Sequence, residues 1–163
     1  MTIPVYLWLK DDAGNLVKGS VDAVQREGSI EIVSLAHHVF LPTDDLTGKI
    51  TATREHVPFI LTKEVDASSP YLYQFVTTGR RLKSAELKFY RINYAGQEEE
   101  YFNVFLEGAK ITCIAPVMED VKDPDYEHCG HLEIFELMYE KITWRYLDGN
   151  IIHADSWKER SAA

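Results

Sequence analysis

Little in this chain supports a covalent or metal-based scaffold. Only two cysteines, Cys113 and Cys129, occur in 163 residues, too few for a disulfide framework. No hydrophobic run approaches the roughly 20 residues that a bilayer-crossing helix needs, and the first apolar stretch spans only Ile3 to Leu9. No basic residue precedes that stretch, so it lacks the charged leader of a secretory signal peptide, and the chain is expected to fold in the cytoplasm. Cationic residues are also scarce: 17 Lys and Arg against 26 Asp and Glu give a formal net charge of −9. That balance argues against nucleic acid as a partner, because phosphates are neutralised by clustered Lys and Arg. It argues equally against an anionic membrane surface. Solubility is the simplest consequence of the charge.

Catalytic signatures are missing as well. The sequence contains no Gly-x-Ser-x-Gly, no Walker loop and no Gly-x-Gly-x-x-Gly. His37 and His38 fall in a strand-like run, where neighbours point to opposite faces, so the pair is poorly placed to share a metal. Glu127-His128-Cys129-x-His131 has transition-metal ligand types at a spacing that matches no usual zinc motif, and reads as a loop. Cys113 shares an apolar strand parity with Ala109, Ile111, Ala115 and Val117 and is expected to be an inert core thiol. The carboxylate runs Asp44-Asp45 and Glu98-Glu99-Glu100 read as solvated charge. The expectation is a protein that is not an enzyme and has no cofactor and no metal.

What the sequence does have is β patterning. A 163-residue chain with 45% hydrophobic residues fits one domain with a real core. Ala85, Leu87 and Phe89 alternate with Ser84, Glu86 and Lys88, Asn93 to Gln97 supplies turn residues, and Tyr101 to Leu106 returns, so 84–106 reads as a hairpin. Val5 to Leu9, Ile30 to Leu41 and Ala109 to Val117 are further strand-like runs. Ile50 to Val65 reads as two strands interrupted near Pro58, which lacks a ladder donor. Residues 132–147 form the longest expected strand, apolar on both faces, followed by a tight turn at Asp148-Gly149-Asn150 and a short return, Ile151 to His153. One helix is well signalled over about residues 70–78. Ser69 is its candidate N-cap, Pro70 fits the first position, Gly79 ends it, and Tyr71, Leu72, Phe75 and Val76 form its apolar face. The fold class expected is mainly β: an antiparallel two-sheeted barrel with one helix, in a single domain.

Several stretches resemble one known family. Phe59-Ile60-Leu61-Thr62-Lys63-Glu64-Val65-Asp66-Ala67-Ser68-Ser69-Pro70-Tyr71-Leu72 is similar to the pattern Phe-x-x-Thr-Lys-x-x-Asp-x-Ser-(Ser/Thr)-Pro-x-Leu of the hemolysin-coregulated (Hcp) proteins of type VI secretion. Ile3 to Lys10, Lys18-Gly19, Lys83 to Leu87, Tyr139 to Trp144 and Asp148 to Trp157 extend the resemblance nearly end to end. It implies a phage tail-tube-like barrel whose subunits close into homohexameric rings. The rings stack into a tube inside a contractile sheath, with a spike protein at the tip, and the tube is expelled from the cell without a cleaved signal. It also implies that small secreted effectors can be carried in the ring lumen. A free-ring effector chaperone, or an accessory copy outside the main tube, remains the alternative.

The resemblance also implies two surfaces. Ile30 to Leu41 is expected to contribute to the inner wall of the ring. Alternation places Ser34, Ala36 and His38 on one face, the candidate lumen face, and Val33, Leu35, His37 and Val39 on the other, expected in the core. One bulge would exchange the two sets. The polar, turn-rich loop Pro42 to Lys49 is expected to contact an adjacent ring or subunit through Thr43, Asp44, Asp45, Leu46, Thr47, Gly48 and Lys49.

Overall fold

One strand, Glu98–Val117, runs unbroken for 20 residues and belongs to two sheets in turn. The sequence suggests two separate runs here, with Gly108 between them. The backbone at Gly108 has φ of 63°, and a Cβ there would lie 2.6 Å from the Arg81 guanidinium and 2.8 Å from the Glu140 carboxylate. Glycine therefore lets the strand bend without stopping, in a left-handed conformation that would strain any other residue.

The computed structural model describes residues 3–157. The elements are β1 (Val5–Lys10), β2 (Leu16–Val17), β3 (Ile30–Ile32), β4 (Ser34–Ala36), β5 (Val39–Phe40), β6 (Glu55–His56), β7 (Phe59–Glu64), α1 (Ser69–Thr78), β8 (Leu82–Ile92), β9 (Glu98–Val117), β10 (Leu132–Met138), β11 (Lys141–Tyr146) and β12 (Ile151–Ser156). The first half of β9 lies between β8 and β11; β1 extends this first sheet beyond β8 and β12 extends it beyond β11. The second half of β9 pairs with β10, then β7, then β4, making a four-stranded second sheet. All pairings are antiparallel. The chain from Ile30 to Ala36 crosses between the sheets, with β3 on β1 and β4 on β7. The hydrogen-bond ladder itself does not close, so the barrel is open.

Between the sheets lies one core. Leu7, Leu9, Leu87, Val104 and Leu106 face Phe59, Leu61, Phe135 and Leu137, all essentially without exposure. α1 lays Leu72 and Phe75 on this core and packs beside β9. Pro70 sits in its first turn, and Gly79, with φ of 65°, ends it in the left-handed region, as the sequence suggests. The helix begins at Ser69, with Ser68 in the capping position, one residue earlier than expected. Tyr71, assigned to the apolar face, is instead 52% exposed.

Three other expectations need correction. The expected strand 132–147 is two strands, because the chain turns at Tyr139 and Glu140 to pass from the second sheet to the first. The expected strand 30–41 is three short ones. Val33 is 57% exposed because the chain changes pairing partners there, from β1 to β7. Val39, 37% exposed, belongs to a separate two-stranded ribbon that does not cover the core. Cys113 is exposed, not buried. Glu136 pairs with Cys113 while Leu137 pairs with Ile111, so Thr112 is an extra residue, a β-bulge. The bulge reverses parity: Ile111 is buried, Ile114 packs against the core and Cys113 turns outward.

Candidate assembly surfaces

Cross-strand pairing fixes which side chains share the outer face of the second sheet. One row is Ser34, Thr62, Ile134 and Ala115; the next is Ala36, Ile60, Glu136 and Cys113. Ser34 and Ala36 are exposed, as is Cys113. These two rows are composed of small, hydroxylated and aliphatic groups and a thiol, with the Glu136 carboxylate, and Glu64 adds a second carboxylate to the face in the next row. Leu35 and His37 turn inward between them, half-buried. His38, expected beside Ser34 and Ala36, lies past the end of β4, exposed and against Phe40 with ring centroids 5.6 Å apart. The bulge at Thr112 is what brings Cys113 onto this face, and nothing in the apolar run 109–117 signals it.

The second surface is an arm. β5 and β6 form a two-stranded ribbon that, among the described residues, pairs with no other strand, and residues 41–54 form its far end. Thr43 bridges Ile50, and the Asp44 backbone bonds Lys49 and Gly48. The Asp44 side chain accepts from the Leu46 and Thr47 amides at 2.8 and 2.9 Å, and the Thr47 and Leu46 amides hold its carboxyl below the usual carboxylate range. Thr43, Asp44, Asp45, Leu46, Thr47, Gly48 and Lys49 are all exposed, Leu46 at 96%. This loop is ordered by its own hydrogen bonds and presents a bare leucine.

The arm is rooted in a polar relay. His56 is buried; its Nε2 lies 2.6 Å from Asp155 Oδ2 and its Nδ1 lies 2.6 Å from the Tyr139 hydroxyl. His37 Nε2 lies 2.9 Å from the same hydroxyl, with its ring stacked at 3.8 Å on Phe59. Arg54 donates twice to Asp155, both at 2.9 Å. The Arg54 hydrogen bonds, joined by that of His56, outweigh burial and hold the Asp155 carboxyl down to about 2. Burial, with the Asp155 charge, pushes the Tyr139 hydroxyl up. Burial holds His37 down to about 4, and the neighbouring His56 and His38 add to this.

A second polar cluster occupies the motif Thr62 to Pro70. Lys63 and Glu133 are both fully buried and paired at 2.5 Å. Lys63 Nζ also reaches Asp66 Oδ1 at 2.9 Å and Ser69 Oγ at 3.1 Å, and Ser69 donates to Glu133 at 2.6 Å. Burial raises the Asp66 carboxyl, but hydrogen bonds from Ser68 and Lys63 and the Lys63 charge outweigh it and leave the group lowered. The cluster ties β7, β10 and the start of α1 together. Glu127, His128, Cys129 and His131 are exposed, and among the described residues no three His, Cys, Asp or Glu groups are arranged to hold a metal ion.

The family described as "Type VI secretion system effector, Hcp" matches residues 6–146. The chain belongs to the Hcp family. It is 34% identical over 149 residues to the major exported protein of Pseudomonas aeruginosa, covering 90% of this chain and 87% of that protein. Among solved structures it is similar to a doubly substituted Hcp1 protein from E. coli EAEC 042, with 60% identity, a TM-score of 0.87, and coverage of 96% and 99% of the two chains. It is also similar to the secreted protein Hcp3 from Pseudomonas aeruginosa, with 27% identity, a TM-score of 0.77 and coverage of 97% and 100%. The two exposed surfaces described above are the candidate assembly surfaces of this Hcp chain.

Proposed function

We propose that this Hcp chain is the subunit of a type VI secretion inner tube. Six copies close into a ring, rings stack within a contractile sheath behind a spike protein, and the tube leaves the cell without a cleaved signal peptide. The observation that carries this reading is the second sheet's two open edges. Among the described residues, β4 has one strand neighbour, β7, and the second half of β9 has one, β10. They lie on opposite sides of the same four-stranded sheet, so each copy offers both halves of a strand pairing. A rotationally closed ring satisfies every such edge.

In that ring the exposed face carrying Ser34 and Ala36 lines the lumen, and the arm residues 43–49 reach a neighbouring ring or subunit. His38, at the root of the arm, sits at the rim. The lumen face also carries Ile60, 43% exposed, which gives small effectors an apolar footing and supports carriage of cargo in the ring. Electron microscopy of the purified protein tests the reading. Six-fold rings with a central hole are expected, and fields of single compact particles without a hole would refute it.

A further inference from the structure

The arm leaves the barrel at His37 and returns at Val57, and both of its roots enter one relay. Asp155, His56, Tyr139 and His37 stand in line, with contacts of 2.6, 2.6 and 2.9 Å. The relay joins four places in the chain: the strand end before β5, β6, the turn after β10, and β12. An isolated two-stranded ribbon is marginal in water. Among the described residues the ribbon pairs with no other strand, and the relay, together with Arg54 on Asp155 and Ser156, anchors it.

The hydrogen count of the relay is limiting. Tyr139 has one hydroxyl hydrogen between two imidazoles. With one imidazole carrying hydrogen on its facing nitrogen and the other bare, that hydrogen has an acceptor and the hydroxyl oxygen has a donor. With hydrogen on both facing nitrogens, the Tyr139 hydrogen has nowhere to go, and two cations flank one buried hydroxyl. One imidazolium is accommodated and a second is not. His56 Nε2 pairs with the Asp155 carboxylate. Among the described residues, that ion pair is made by His56 and not by His37. His37 instead faces His56, His38, Tyr139 and the ring of Phe59. Arg54 holds Asp155 from the far side, and Trp144 and Trp157 flank His56.

We propose that this relay is an acid-sensitive latch on the arm: hydrogen on both imidazole nitrogens that face Tyr139 breaks the His37 contact and loosens the outgoing root of the arm from His38, while Arg54 and His56 stay on Asp155 and the barrel stays folded. That the loosened arm unstacks rings rests on the tube reading above; the latch itself does not. The behaviour of His37 agrees, because burial keeps it neutral from the ordinary 6.5 down to about 4.

Hydrogen exchange of the full chain separates the two claims. Between pH 6.5 and about 4, protection factors of the arm amides of Asp44, Gly48, Thr51 and Val57 are expected to fall by roughly tenfold or more. Amides of β8 and β10 should hold. His37→Phe keeps a ring on Phe59 but removes the titrating nitrogen, and its arm protection should be lower throughout and flat with pH. Arm protection that tracks the barrel across this range overturns the latch, as does a His37→Phe protein with the unsubstituted pH profile. Should His37→Phe not fold, the profile of the unsubstituted protein alone decides between these outcomes. Ring stacking, followed by sedimentation over the same range, reports only on the tube reading: an arm that loosens while stacks persist upholds the latch and contradicts the stacking contact.

Discussion

Lys63 Nζ meets Glu133 Oε1 at 2.5 Å, with neither side chain exposed. Two opposite charges on adjacent strands are thereby sealed against the start of α1. Replacing Lys63 with Met leaves Glu133 buried and without its cation. A loss of about 3–5 kcal/mol is expected in denaturant unfolding. A double Lys63→Met, Glu133→Leu variant should recover much of it, because the desolvated pair itself contributes little net stability.

Neighbours Leu35 and Ala36 differ in direction. Leu35 packs against the core and Ala36 lies on the exposed face of the second sheet. Leu35→Asp is expected to destabilise the subunit by roughly 1–3 kcal/mol. Ala36→Gln should leave the melting temperature unchanged and alter cargo retention in the ring. A destabilised Ala36 variant beside a stable Leu35 variant would mean the opposite orientation.

The alternation that orients these two was readable, as were the 84–106 hairpin and the helix, because period two, the Asn93-Tyr94-Ala95-Gly96-Gln97 turn, Pro70 and Gly79 are local signals. The bulge at Thr112 was not: the run from Ala109 to Val117 is apolar on either parity after the slip, so tertiary pairing with β10 decides it. The break at Tyr139 was hidden for the same reason. The Lys63–Glu133 pair did leave a trace. Lys63 shares parity with Phe59 and Leu61, and Glu133 with Phe135 and Leu137, so each strand carries one charge, of opposite sign, on its core face. The His56–Tyr139–Asp155 relay joins residues about a hundred positions apart, and nothing local announces it.

Cys113, exposed on the outer face of the second sheet, tests whether that face lines the ring. In a Cys129→Ser background, a small maleimide should modify Cys113 in the intact ring, whereas one tethered to a particle wider than the lumen should not until the ring is dissociated. Equal reaction of both reagents with the intact ring would place this face outside.

The loop 43–49 is held by Asp44 and its own backbone, so replacing it with a short Gly-Asn turn should change stability by no more than about 0.5 kcal/mol. Ring stacking and secretion should both fall. Normal secretion by the shortened protein would remove the contact role.

Acid stability has two phases with known signs. His37 is held from 6.5 down to about 4 in the folded chain, so the unfolded chain takes its proton first; the stability this gives is complete above pH 6.5 and is lost as pH falls toward 4. Asp155 is held from 3.8 down to about 2, so its contribution is complete above its unfolded value and disappears below it. Thermal melts across pH should therefore show a first decline that His37→Phe removes and a second that it keeps. A single decline common to both proteins would contradict the assignment.

The ring is the central claim, and its mass is the most direct test. Six copies of an 18.7 kDa chain weigh about 112 kDa. Light scattering on the purified protein at neutral pH should return that mass or multiples of it from stacked rings; a single species at 18.7 kDa, unchanged as concentration rises, would contradict the account.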